Sequence, residues 1–199
     1  MAIPSQPITH LLYLHGFRSS PQSTKARIMA ARVARDHPAV TWWCPQLPAS
    51  PRQAMDMLVQ GTAQWPDARM AVVGSSLGGY YATWLAEQRA CKAVLLNPAV
   101  FAARDLARHI GTHPVWHDPS QQIEFTREHV DELRTLQAGG PADAARYFLL
   151  AAKGDEVLDW REMVQRYPGV QLRLLEHGDH GLSDFEDHLD TVLDFLDLA

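Results

Sequence analysis

Long apolar stretches are missing from this 199-residue sequence, and nothing in it approaches the run of about 18 apolar residues that a membrane-spanning helix needs. Membrane insertion is therefore not expected. Cysteine is scarce as well. Cys44 and Cys91 are too few and too far apart for a disulfide framework or a metal knuckle, and both read as small core residues. Basic residues are outnumbered, 18 Lys and Arg against 23 Asp and Glu, and the formal charge of −5 argues against a nucleic-acid or anionic-membrane partner. The opening MAIPSQPITHLL has neither the basic start nor the long apolar core of a secretory signal, so a cytoplasmic location is expected. There is no like-charge tail, internal repeat or low-complexity segment.

What remains is a balanced composition, 46% hydrophobic and 21% charged, at a length that suits one domain over residues 1–199. Apolar runs alternate with segments of helical period. Strands are expected at Ile8 to Leu14, Ala39 to Leu47, Met70 to Gly74, Cys91 to Asn97, Arg146 to Ala152 and Val170 to Glu176. Between them fall helices: one capped by Ser20-Pro21, then Gln53 to Gln64, Leu77 to Arg89 and Glu156 to Tyr167. A closing helix carries the stripe Leu182, Phe185, Leu189, Val192, Leu193 and Leu196, with Ser183 and Glu186 at capping-box spacing. Strands apolar on both faces and separated by helices imply an α/β fold, a doubly wound and mostly parallel sheet of about six strands. Residues 98–143 break the rhythm and read as a small helical cap. Phe125, Thr126 and Val130 have the spacing of a hydrophobic staple around an N-cap. An insertion there would overlie the carboxyl edge of the sheet, where ligands bind.

Gly74-Ser75-Ser76-Leu77-Gly78 fits G-x-S-x-G between an apolar strand and a helix. A serine at that bend is exposed only if the residues two positions either side are small, because larger ones collide with the neighbouring strand and helix. The segment lacks the G-x-G start of a dinucleotide fingerprint and the Gly-Lys-Ser/Thr of a phosphate loop. A serine hydroxyl needs a base, usually histidine, oriented by a carboxylate, and in doubly wound hydrolases the order is Ser, Asp or Glu, His. Asp155 follows the penultimate strand, with Glu156 and Asp159 as rivals, and His180 follows the last, with His177 better suited to the surface. The oxyanion needs two N–H donors, for which the amides of Leu77 and of Phe17, beyond His15-Gly16, are the candidates; His15 is expected only to orient that loop. His109, His113 and His117 recur every four residues, but Gly111 and Pro114 interrupt any helix that would gather them on a metal. Trp42-Trp43 and Tyr80-Tyr81 read as packing, and Phe101, Trp116 and Phe125 as cap core or as the lining of an acyl pocket.

These residues together resemble an α/β-hydrolase, and specifically the small bacterial YqiA-type esterases, over nearly the whole length. The likeness is carried by LLYLHGFRSSPQSTKA, PQLP, VVGSSLGGYYATWL, LLNPAV, GDEVLDW and GDHGLSDFEDHLDTVLDFL. It implies hydrolysis of a small-molecule carboxylic ester or thioester, acyl-CoA-type substrates included, without cofactor or metal. Two alternatives remain open on the sequence: a hydrolase-fold protein that binds an acyl or ester ligand without turnover, and an acyltransferase using the same triad. Oligomeric state is not legible.

Overall fold

The computed structural model describes residues 7–116 and 118–198. The elements run β1 (His10–Leu14), α1 (Thr24–Asp36), β2 (Thr41–Trp43), α2 (Pro51–Gly61), β3 (Met70–Ser75), α3 (Leu77–Arg89) and β4 (Lys92–Leu96). Then come α4 (Ala102–Leu106), β5 (Gly111–Pro114), β6 (Gln122–Phe125) and α5 (Arg127–Thr135). The chain ends with β7 (Tyr147–Ala152), α6 (Trp160–Arg166), β8 (Gln171–Leu175) and α7 (Leu189–Phe195). Six strands form one sheet in the order β2-β1-β3-β4-β7-β8. Every pairing in it is parallel.

The all-apolar strands have a direct structural consequence. Leu12, Val72, Leu95 and Leu149 face a core shared with α2, α3, α5 and α6. Their neighbours Leu11, Val73, Val94 and Phe148 face a second core shared with α1 and α7. A strand buried on both faces has no polar alternation to preserve. From β1 the chain moves outward to β2, then returns to place β3 on the other side of β1. That reversal opens a crevice at the carboxyl ends of β1 and β3.

Several boundaries differ from the sequence expectation. Ser20-Pro21 does not cap α1; Ser20 closes a turn on Gln22 and Ser23, and Ser23 is the N-cap. The Ser-Pro signal operates at the second such dipeptide instead, where Ser50 accepts from the Gln53 N–H at 3.2 Å and Pro51 fills the first helical position. The second strand is three residues long rather than nine, since Pro45 and Pro48 cannot donate to a ladder at the sheet edge. Ser183 and Glu186 form no capping box: the Ser183 amide donates to the Asp179 carboxylate at 3.0 Å, and a 3₁₀ turn at Phe185–His188 precedes α7. The stripe it carries is nonetheless buried from Leu182 to Leu196.

The described residues of 98–143 hold two α-helices, a 3₁₀ turn at Ala107–His109 and a hairpin. Thr126 caps α5 in a box with His129, and Phe125 and Val130 are both buried, as the staple spacing requires. The hairpin of β5 and β6 is antiparallel and has no counterpart in the sequence expectation. α5 is fastened to the body by Glu132, which accepts from Ser50 at 2.8 Å and from Arg52 at 2.7 Å, and by the Tyr80 hydroxyl donating to the Leu133 carbonyl at 2.7 Å.

Candidate active site

Ser76 sits between β3 and α3 with φ 56° and ψ −120°, a conformation that costs a non-glycine residue roughly 1–3 kcal/mol. The flanking glycines permit it. A Cβ on Gly74 would lie 2.7 Å from the Ala82 Cβ, and one on Gly78 would lie 2.8 Å from the His15 carbonyl oxygen. From Met70 to Thr83 every residue is buried except Ser76, which is half-buried. Its hydroxyl makes no cap to its own helix.

The hydroxyl is instead 2.9 Å from His180 Nε2, and His180 Nδ1 is 2.8 Å from Asp155 Oδ2. The carboxylate can only accept, so Nδ1 carries the ring proton and Nε2 is left to receive one from Ser76. The Asp155 side chain is 0% exposed, and its other oxygen accepts from the Val157 and Leu158 amides at 2.8 Å each. Those bonds also explain why α6 starts at Trp160 rather than Glu156: the carboxylate holds the intervening residues in a turn. The rival acids do other work. Asp159 caps α6 through the Arg161 amide, and Glu156 accepts from the His180 backbone N–H at 2.9 Å. His177 is exposed. The acid and base loops touch at Gly154, where an added Cβ would drive into the Gly178 carbonyl.

Leu77, first residue of α3, has no intrahelical acceptor for its N–H. The loop after β1 presses on the serine, with space for a Gly16 Cβ ending 3.2 Å from the Ser76 Cβ. His15 is buried and tied down. Its Nε2 accepts from the Leu47 amide at 3.0 Å, so Nδ1 is the donor to the Gly16 carbonyl at 2.9 Å. The Phe17 ring meets Phe125 edge-on at 5.1 Å, with His109 and His113 each at 5.9 Å. Arg18, at φ 59°, is a site residue that sequence reasoning missed. Its Nε donates to the Pro114 carbonyl at 2.9 Å, its carbonyl accepts from Trp116 at 3.0 Å, and its guanidinium lies 4.5 Å over the Trp116 ring.

Phe17, Ser76, Leu77 and His180 share one cleft of about 330 Å³. Ala99, Ala102, Leu106, Val157 and Leu158 give it apolar lining, Arg18, Arg108, His109 and Trp116 basic and aromatic lining, and Asp105 and Glu156 two carboxylates. Of the aromatic residues considered for an acyl pocket, Trp116 lines this cleft, Phe125 backs Phe17, and Phe101 lies under Arg104. Burial, then Arg108, His113 and Arg18, hold the His109 imidazole below its ordinary range. His113 bonds the His109 carbonyl at 2.6 Å, while His117 lies outside the described residues. Among the described residues no group of three His, Cys, Asp or Glu is placed to hold a metal ion, and no helix is long and apolar enough to cross a membrane.

Against known proteins, the family model of the uncharacterised protein family UPF0227 matches residues 10–197. Solved structures share the fold at low identity. The α/β hydrolase domain-containing protein 10 from mouse superposes with a TM-score of 0.71 at 16% identity, covering 94% of this chain and 89% of its own. One of two metagenome-derived lipolytic enzymes, LipS and LipT, gives 0.66 at 17% identity and covers 100% of both chains. Est1E from Butyrivibrio proteoclasticus with ferulic acid bound gives 0.66 at 13% identity, covering 96% and 87%. The chain belongs to the UPF0227 family, and its fold is that of the α/β-hydrolases.

Proposed function

We propose that this UPF0227 protein is a serine hydrolase that cleaves carboxylic esters or thioesters through an acyl-enzyme. One observation carries the reading: the hydrogen-bonded line from Asp155 through His180 to Ser76, at 2.8 and 2.9 Å, on the wall of a partly apolar cleft. The lipolytic and esterase names of proteins sharing its fold support the same reaction class. His180 Nε2 takes the hydroxyl proton as Ser76 Oγ attacks the acyl carbon, and Asp155 stabilises the imidazolium that forms. The amides of Phe17 and Leu77 receive the negative charge on the carbonyl oxygen. The imidazolium then protonates the departing alkoxide or thiolate. Water enters, gives a proton to the same imidazole as its oxygen bonds the acyl carbon, and the acid leaves as the bond to Ser76 Oγ breaks and the imidazolium returns its proton to that oxygen. The apolar wall takes the acyl chain, and no cofactor takes part. The two free thiols, Cys91 buried and Cys44 half-buried, suit a reducing cytoplasm.

The test is pre-steady-state release of p-nitrophenol from a short-chain ester by the native protein and by Ser76→Ala. Turnover is expected in the native protein and a ~10⁴–10⁶-fold lower kcat in the variant. Equal turnover in both would reduce Ser76 to a turn residue. No turnover in either, over several acyl lengths, would favour ligand binding without catalysis.

A further inference from the structure

The end of β4 touches all three loops that carry the reacting side chains. The Leu96 carbonyl accepts from the Ser76 amide at 3.0 Å, and the Ala99 amide donates to the Ser76 carbonyl at 3.0 Å. Asn97 lies between them, fully buried, with φ at 41°, in the left-handed region that asparagine tolerates better than most residues. Its own amide donates to the Leu150 carbonyl on β7 at 2.9 Å. Its side-chain Oδ1 accepts from Ala152, three residues before Asp155, at 2.9 Å. Its Nδ2 donates to the carbonyls of Asp179 at 3.0 Å and His180 at 3.3 Å. The orientation of this amide is fixed by its partners, because a flip would set donor against donor and oxygen against two oxygens.

We infer that Asn97 is a positioning residue: one buried amide that sets the His180 loop against the end of the strand leading to Asp155, and so keeps the imidazole in line with both Asp155 and Ser76. The other holds on that loop, Glu156 on the His180 N–H and Lys25 on the Gly181 carbonyl, come from exposed or half-buried side chains and reach only one point each. Asn97, itself fully buried, joins the end of β7 to the His180 loop with three side-chain bonds. The role rests on the esterase reading of the triad, and the test separates the two.

Asn97→Asp keeps size, the acceptor for Ala152 and tolerance of the backbone, but turns an oxygen toward two carbonyls. Asn97→Ser, which shortens the side chain, serves where Asn97→Asp does not fold. Val94→Ala on the same strand, facing the core away from the cleft, gives a destabilised control. With p-nitrophenyl acetate, kcat is expected to fall ~10–100-fold in the Asn97 variants while KM stays near native, because the cleft walls are untouched. The bond from His180 Nδ1–H to Asp155 is expected to give a sharp downfield proton resonance in the native protein, which should broaden or vanish in the Asn97 variants. A native kcat and a native resonance in a folded Asn97 variant would overturn the inference. So would an equal loss of kcat in Val94→Ala at the same shift in Tm. Should the native protein hydrolyse no ester at all, the esterase reading falls, and the resonance alone decides: its loss in the Asn97 variants supports the positioning role, and its retention refutes it.

Discussion

On one side of Ser76 the acid and base loops meet main chain to main chain. The Asp155 side chain is fully buried and bonded to two backbone amides, Gly154 leaves no space before the Gly178 carbonyl, and the His180 amide is itself bonded. On the other side the loop after β1 meets residues 98–143 chiefly through rings and one guanidinium, at Phe17 on Phe125 and at Arg18 on a Trp116 that is 67% exposed, with one main-chain bond from the Trp116 amide to the Arg18 carbonyl. In the proposed mechanism the first wall moves protons, and its geometry tolerates little displacement. In that mechanism the second faces substrate, and its contacts are of a kind that shifts by tenths of an ångström at small cost. Such a division lets specificity vary while the proton relay stays fixed.

The contrast is tested hardest at Asp155. In Asp155→Asn the amide NH₂ would face His180 Nδ1 and turn the imidazole to the tautomer that points a proton at Ser76. A kcat loss of ~10⁴-fold is expected, with KM little changed, measured on the same ester used for Ser76→Ala. A loss below tenfold would mean that Glu156 can replace the carboxylate, and that the buried wall is less rigid than its bonds suggest. Gly154→Ala comes next. Its Cβ must push the two loops apart, for an expected ~10–100-fold drop in kcat and a stability loss of about 1–3 kcal/mol by chemical denaturation. On the opposite wall, Arg18→Ala removes a hydrogen bond and a cation–π contact, each worth about 0.5–1.5 kcal/mol where partly exposed. With about half of that combined loss reaching the proposed oxyanion loop, kcat falls ~3–10-fold. An Arg18 effect larger than the Gly154 effect would reverse the ranking of the two walls.

The same division separates what the sequence discloses from what it hides. Ser76, Asp155 and His180 can be brought together on paper because each follows an apolar strand at its carboxyl end, and strand ends in a parallel sheet converge. Small residues at Gly74 and Gly78 are a local signature of a local clash. Arg18 has no such signature: its partner Pro114 is 96 positions away in sequence, and its strain is invisible until φ is known. The hairpin escapes for a related reason. Four-residue strands such as Gly111–Pro114, half-exposed and holding a proline, show no usable alternation. The LLNPAV stretch contributes to the family resemblance, yet nothing in its spacing shows that Asn97 binds carbonyls 82 and 83 residues later. Capping is misread where two residues compete for one donor, as when Asp179 takes the Ser183 amide that a capping box would require.

The smallest effect concerns Lys25, which approaches the His180 loop from α1 and donates to the Gly181 carbonyl. Burial lowers its pKa to about 8 from the ordinary 10.5, against the opposing pull of Asp179 and Asp155. Between those two values the unfolded chain holds a proton that the folded protein has released. Folding stability from this group therefore rises as pH increases through that window, and is penalised below it. Lys25→Met removes the titration. The difference in unfolding free energy, native minus variant, should become more favourable to the native protein between about pH 8 and 10.5, read from urea midpoints at several pH values. A flat difference would show that the ammonium stays hydrated in the native state, and that this approach to the His180 loop is as open as the substrate-facing wall.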